Sequence, residues 1–401
     1  MEVAFFTDSY LPTRDGVATV TSALARELAD LGHPVTVFAP SPAHEAPSEE
    51  TEGEGVTFVR SRSLPVPLYG QYRWGLFPFS QLRGRNFRRF DVLHMHTPGI
   101  MGSTAFLAAR HLRKPLVGTF HTNVWEMRDS FPRTLPLRAF FRVASWYALG
   151  TYYRCDVTTV PSLPTKRWLL EHSRKPFRRP VEVVPNGIEV ERFHPGIPVP
   201  DWRERCGLPS APLVTYFGRL TIDKGVHRFL DALADLGDRT DFAGLVAGSG
   251  PEEARVRERL RADPRLSGRV RYVGPVAEEE KASLLAQSEL FVLPSTSDTS
   301  SLALLEAMAC GATCIAFDVG GPAELIRDGV TGRLVPSRGD GALAHAIADL
   351  LGNPSDRNRL RAAAIDYVRR EASIERTATR FMALYEMLLD ERRPDVGRLA
   401  G

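Results

Sequence analysis

The chain has 401 residues, 43% of them hydrophobic and 25% charged, with a formal net charge of +3. That is long for one hydrophobic core, so two domains are expected, and the balance is that of an ordinary soluble globular protein rather than a disordered or fibrous one. No uninterrupted apolar run approaches the ~20 residues of a membrane span, no N-terminal segment reads as a secretory leader, and the four scattered cysteines lack metal-site or disulfide spacing, which suits reduced thiols in a cytosolic protein.

In chain order, MEVAFFT (1–7) reads as a buried first strand, GVATVTSALARELADLGH as a helix and PVTVFAP as a second strand, which is the strand–helix–strand grammar of a parallel sheet. Gly16 opens that first helix, where a missing side chain lets backbone approach a phosphate or sugar; the alternative is a plain turn glycine. An acidic loop lies near 44–55. GVTFVRS, DVLHMHTP (91–98), PLVGTFHT (115–122), DVTTVPS (156–162) and VEVVPNG (181–187) supply further strands. His94 and His96 alternate along one of them and so share a face. A metal pair there lacks an apparent third ligand, which leaves structural histidines as the reading. His121 ends another apolar run, and a histidine so placed can orient or polarise a reacting hydroxyl or phosphate near neutral pH.

The charge is uneven along this half. Between Arg60 and Arg179 there are 21 Lys and Arg against 5 Asp and Glu, an excess of +16 that leaves −13 for the rest. Such a block suits an anionic partner; a solvated face enriched in arginine is the alternative. Within it, residues 69–90 interleave Tyr69, Tyr72, Trp74, Phe77 and Phe79 with Arg73, Arg83, Arg85, Arg88 and Arg89, and FPRTLPLRAFFRVASWYALG (131–150) again mixes apolar and basic residues.

The strand–helix register restarts after about residue 200, beyond the proline-bearing linker NGIEVERFHPGIPVP (186–200). Two doubly wound units place ligands at the carboxyl ends of their strands, so functional residues should follow strands. FGRLTIDKG (217–225) does so, and its Arg219 and Lys224 can clamp a diphosphate, although a surface arginine and a helix-start lysine are common. After another strand, Asp298, Thr299, Ser300 and Ser301 lead into a helix that is apolar almost all round, and free backbone N–H groups at that helix start form an anion site. Inside the helix, Glu306 sits among Leu302, Leu304, Leu305 and Met308. It pairs with a buried partner or accepts hydrogen bonds from a vicinal diol such as a ribose; with no second charge on the helix, the diol is the favoured reading. The last helical stretch covers about 374–391.

These motifs as a set resemble the retaining glycosyltransferases of family 4, over nearly the whole chain and most densely in GRLTIDKG, GSGPEE, VRYVGPVAEEEK, FVLPSTSDTSSLALLEAMACG and GGPAELIRDGVTGRLV. The resemblance implies an α/β chain of the GT-B fold, two Rossmann-like doubly wound domains facing across a cleft. Residues 1–190 would receive the acceptor, with the C-terminal helix (about 376–401) packing back on them, and 191–375 would bind a nucleotide-sugar donor. It implies that Arg219 and Lys224 bind the donor diphosphate and that Glu306, the second acid of the family's Glu-x7-Glu pattern, holds the ribose. Asp298 falls on the first acid, with the backbone amides of 299–302, up to Leu302, meeting sugar and phosphate. Val276 and Lys281 match positions flanking the nucleobase, His121 the histidine between donor sugar and acceptor, and Gly16 the glycine loop near the phosphates. Asp298 is one methylene shorter than the usual Glu, Ser301 replaces a common Gly, and Asp15 stands where many relatives have a first Gly.

The expected reaction is transfer of a hexose from a nucleoside-diphosphate sugar with retention, without an obligatory metal and with no cofactor beyond the nucleotide sugar as co-substrate. Relatives with a basic, aromatic N-terminal half glycosylate membrane lipids, which points to a lipid acceptor, an anionic membrane surface as partner and a cytoplasmic enzyme peripheral on the inner face of the membrane. A soluble acceptor is the alternative, as is a nucleotide-sugar-binding protein that has lost transfer. No module for nucleic acid is recognisable.

Overall fold

Short apolar runs joined by amphipathic helices become two separate parallel sheets in a computed structural model of the chain. It describes residues 1–392 except 13–14, 44, 46–47, 53–54, 67–68, 77–86, 122–134, 199–200, 238–239 and 338–340. The chain divides into a first unit, Met1–Gly187 with Ile374–Gly401, and a second, Ile188–Ser373.

The first unit runs β1 (Val3–Phe6), α1 (Gly16–Asp30), β2 (Val35–Pro40), β3 (Glu49–Glu52), β4 (Val56–Ser61), β5 (Ser63–Val66), β6 (Tyr69–Gly75), β7 (Val92–Met95), α2 (Ile100–Leu112), β8 (Leu116–Thr119), α3 (Leu135–Tyr152), β9 (Val157–Val160), α4 (Leu163–His172) and β10 (Glu182–Val183). Its main sheet has the order β10-β9-β8-β7-β1-β2-β4-β3. All pairings are parallel except that of the edge strand β3, which lies in the acidic stretch read as a loop. β5 and β6 form a separate antiparallel pair that the sequence pattern hides, because Pro65 interrupts the run.

The second unit contains α5 (Trp202–Cys206), β11 (Leu213–Phe217), α6 (Val226–Leu236), β12 (Ala243–Ala247), α7 (Glu253–Ala262), β13 (Val270–Tyr272), α8 (Glu278–Ala286), β14 (Leu290–Leu293), α9 (Leu302–Cys310), β15 (Thr313–Phe317), α10 (Pro322–Leu325), β16 (Arg333–Val335), α11 (Ala342–Gly352) and α12 (Pro354–Glu371). Its six strands are all parallel in the order β13-β12-β11-β14-β15-β16. Counted within the unit this is 3-2-1-4-5-6, the order of doubly wound sheets, whose ligands sit where the order reverses. The chain then returns to the first unit as α13 (Ile374–Asp390).

Burial explains the elements. The central strands of both sheets are buried along their length, as strands covered by helices on both faces must be. α13 turns Ile374, Ala378, Phe381, Tyr385 and Leu388 into the same core as Ala23, Leu24 and Leu28 of α1, a spacing that lines one helical face. α6 likewise buries Val226, Phe229, Leu230 and Leu233. Among the described residues no helix is long and apolar enough to cross a membrane.

Candidate functional site

The switch point of the second sheet lies between β11 and β14, and the residues after these two strands form a candidate site within this unit. β11 ends in Phe217 and the chain turns through Gly218–Thr221. The buried Tyr216 hydroxyl donates to the Arg219 carbonyl at 2.9 Å and steadies the turn, and Leu220 N donates to Ser249 O at 2.8 Å. Gly248 and Gly250 are required here. Both have positive φ, and a Cβ on Gly248 would stand 1.9 Å from the Gly218 carbonyl oxygen. The Arg219 side chain is exposed and makes no ion pair among the described residues.

Lys224 closes the following short turn, and its Nζ lies 2.7 Å from Asp298 Oδ2, with both side chains largely buried. The backbone around them is stitched to the post-β14 loop, since Thr296 N donates to Asp223 O at 2.8 Å. Lys224 is therefore held beside Asp298 by a charge-assisted bond in the protein alone, a pairing the sequence reading did not include.

Asp298 leads into α9. The Ser301 hydroxyl caps that helix, accepting from Leu304 N at 3.3 Å, while the Asp298 carbonyl accepts from Gly321 N at 2.8 Å. Thr299, Ser300 and Leu302 are partly exposed beside the helix start, where the backbone dipoles favour negative charge.

Glu306 is fully buried one turn further along, and it has a partner. Lys281 Nζ from α8 lies 2.6 Å from Glu306 Oε1. Burial pushes the carboxyl pKa up, and the Lys281 charge and hydrogen bond pull it back down. The pairing uses one carboxylate oxygen; the other, Oε2, is buried with no hydrogen-bond partner among the described residues. The reading of Glu306 as one member of a buried pair thus holds at Oε1, and the partner escaped because it comes from a neighbouring helix. Lys281 is itself buried, its ammonium 5.5 Å from the Phe193 ring centre and 5.3 Å from that of Phe217. It is the counter-ion of Glu306 rather than an exposed side chain. Val276 is partly buried against the core around Trp202 and Leu245.

The first unit has a switch point of its own, between β1 and β7. Asp15 caps α1, accepting from Ala18 N at 2.8 Å, so Gly16 is the first helical residue and is exposed. Just after β1, the partly buried Asp8 accepts from the Thr97 hydroxyl at 2.6 Å and from Met101 N at 3.1 Å at the start of α2. Burial pushes its carboxyl up, against those hydrogen bonds. Gly99 is needed there because a Cβ would lie 2.4 Å from Asp8 Oδ2. The sequence reading missed Asp8, although an acid just past the first strand was a signal.

His121 follows β8 and is buried, which pushes it down to about 4 and keeps it neutral. His94 and His96 do share a face, with ring centres 4.0 Å apart. His94 is bound on both sides, Nδ1 to the Tyr385 hydroxyl and Nε2 to the Thr119 hydroxyl, each at 2.7 Å. His96 Nδ1 lies 3.1 Å from His121 Nε2. Among the described residues no group of three or more His, Cys, Asp or Glu side chains is arranged to hold a metal ion.

Of the basic, aromatic stretch, Phe77, Phe79, Arg83 and Arg85 lie outside the described residues, as do the side chains of Tyr69, Tyr72 and Trp74. Further on, α3 buries Phe141, Ala148 and Tyr152 on one face and exposes Phe140, Val143, Trp146 and Tyr147 on the other, with Arg138 and Arg142 also exposed.

Comparison with known proteins bears on the family and the fold. Residues 14–192 match the family model for Glycosyltransferase Family 4, and residues 200–367 match that for glycosyl transferases group 1. A GDP-mannose-dependent alpha-mannosyltransferase from Corynebacterium glutamicum is 30% identical over 84% of this chain and 76% of its own length. An alpha-monoglucosyldiacylglycerol synthase from Streptococcus pneumoniae is 27% identical over 89% of this chain and 80% of its own. In fold, the sucrose-phosphate synthase of Thermosynechococcus elongatus superposes with a TM-score of 0.78 at 22% identity, covering 97% of this chain and 99% of that one.

Proposed function

The chain belongs to glycosyltransferase family 4, and from that premise we propose that it moves a hexose from a nucleoside-diphosphate sugar to the hydroxyl of a membrane glycerolipid or related lipid, with retention of anomeric configuration. The observation that carries the donor half is the fully buried Glu306 Oε2, which has no partner among the described residues. A buried carboxylate oxygen without a donor costs free energy until something supplies one, and a ribose diol does so. Arg219 and Lys224, together with the N-terminus of α9, take the negative charge of the diphosphate.

The chemistry follows from charge. The bond between the anomeric carbon and the diphosphate oxygen breaks, and the departing group gains negative charge. Arg219, Lys224 and the amides around Ser300 and Ser301 stabilise that charge more in the transition state than in the bound donor. The acceptor oxygen then bonds to the anomeric carbon on the face the diphosphate leaves, its proton passing to the departing diphosphate oxygen, which preserves configuration. His121, neutral at physiological pH, orients the reacting hydroxyl. The exposed apolar and basic residues of α3 support the lipid acceptor, because such a surface suits an anionic bilayer.

A screen of nucleotide sugars for nucleoside diphosphate release, run with and without lipid extract, tests both halves. Release that depends on lipid is the expected outcome. Release stimulated only by soluble sugars would move the acceptor to the soluble class, and binding without release or transfer would leave a nucleotide-sugar-binding protein.

A further inference from the structure

The transfer reading uses His121 but leaves unexplained why a second imidazole is buried against it. His96 is 1% exposed, and its Nδ1 meets His121 Nε2 at 3.1 Å with the two rings within 14° of parallel. The His96 ring is clamped from its other sides, by His94 with centres 4.0 Å apart and by the edge-on Phe5 ring at 4.5 Å. His94 is itself fixed by the Tyr385 and Thr119 hydroxyls. A run of packed, hydrogen-bonded groups thus leads from α13 across β7 to His121.

Which nitrogen carries the proton can be argued from the unsatisfied atom. Burial holds both imidazoles neutral, His96 well below its ordinary value and His121 down to about 4. Each ring therefore has one N–H, and the contact between them needs one proton. If His121 Nε2 donated it, His96 would carry its own proton on Nε2, which is buried and has no partner among the described residues. An orphaned buried N–H is rare and costly; an idle lone pair costs less. The proton in the contact therefore belongs to His96.

We infer that His96 is a positioning residue for transfer: its Nδ1–H donates to His121 Nε2, so that His121 carries its own proton on Nδ1 and its ring is held in one orientation. This rests on the transfer reading, and it assigns His121 a donor on Nδ1 rather than Nε2, a specific demand on the group it orients.

The test compares H96N, H96Q and H96F in the full chain. An Asn amide can place its N–H about where Nδ1 lies, a Gln amide reaches about to Nε2, and Phe keeps the ring without a donor. With ¹⁵N-histidine labelling, long-range proton–nitrogen spectra of the ligand-free protein should show His121 as the Nδ1–H tautomer in the wild type and in H96N, and a changed or mixed tautomer in H96Q and H96F. In transfer assays H96Q and H96F should lose about 10²-fold in kcat, with donor KM changed far less, while H96N retains most of the rate. If H96F fails to fold, the Asn against Gln comparison decides. An Nε2–H tautomer in the wild type, or equal rates for H96N and H96Q, overturns the inference. A wild type with the Nδ1–H tautomer but no transferase activity overturns the function reading instead.

Discussion

Removing Lys281 strands the Glu306 carboxylate in a place where, among the described residues, no other cation lies within hydrogen-bonding distance. The pair spans two helices, is buried on both sides and meets at 2.6 Å. Deleting one member of such a pair costs about 3–5 kcal/mol, because the remaining charge stays buried, whereas replacing both with apolar groups of similar volume is often neutral. K281M should therefore lower the urea midpoint sharply, and K281M/E306L should recover most of the loss. Stability and donor binding then part company: the double variant folds but lacks Oε2, the atom assigned to the ribose. Calorimetric titration with nucleoside diphosphates should show weak binding in that double variant, and an affinity equal to the wild type would reduce Glu306 to a structural role. The same residue shows where sequence reading ends. That Glu306 needed company was legible from an acid inside an apolar helix; that Lys281 supplies it was not, because the pairing joins residues on different helices and leaves no local pattern.

At the scale of elements, legibility follows burial. Central parallel strands such as β1, β7 and β14 are short apolar runs because helices cover both faces, and they were readable for that reason. Their ends then placed Arg219, Lys224, Asp298 and His121 by topology alone. The β5–β6 pair was not readable, since it is short and carries Pro65, and β3 hides in an acidic edge where alternation is absent. The helix α3 raises a different question. Its buried stripe of Phe141, Ala148 and Tyr152 accounts for one face, yet Trp146 is 70% and Val143 64% exposed on the opposite one. Scattered exposed apolar residues are ordinary, but a stripe at helical spacing, flanked by Arg138 and Arg142, suits an interfacial contact. The expected outcome is sedimentation with vesicles of anionic phospholipid at low salt, weakened by salt and reduced several-fold in V143E/W146E with nucleotide binding unchanged. Equal sedimentation of that variant and the wild type would detach α3 from any lipid role.

Both sheets reverse their order beside their first strand, yet the two units bury different sets of titratable groups, and this should separate them in acid. The first unit keeps His94, His96 and His121 neutral by burial, with folded pKa values below that of the unfolded chain. The unfolded chain therefore binds protons that the folded unit refuses as pH falls below about 6.5. Stability from these residues is fully present above that pH and is lost on descending through the folded values. For His121, depressed to about 4, the loss by pH 4 is about 3 kcal/mol. Asp8 acts in the opposite direction, its raised carboxyl favouring the folded unit as it protonates. In the second unit, Asp263 is held well below its ordinary value by Arg265, so its contribution survives until pH drops under the carboxylate range, and Glu306, pushed up by burial, adds no acid penalty. Urea unfolding between pH 7.5 and 4.5 should therefore weaken the first unit first. Tryptophan fluorescence follows it, because four of the five tryptophans lie in that unit and Trp202 is the exception. Below pH 6 the unfolding free energy of that unit should fall by up to ~1.4 kcal/mol per pH unit for each buried histidine. Substituting His121 with Asn should remove one histidine's share of the slope. A slope that is flat between pH 6.5 and 4.5, or unchanged in that variant, would mean that the imidazoles take up protons within the folded unit and that their burial does not hold them neutral.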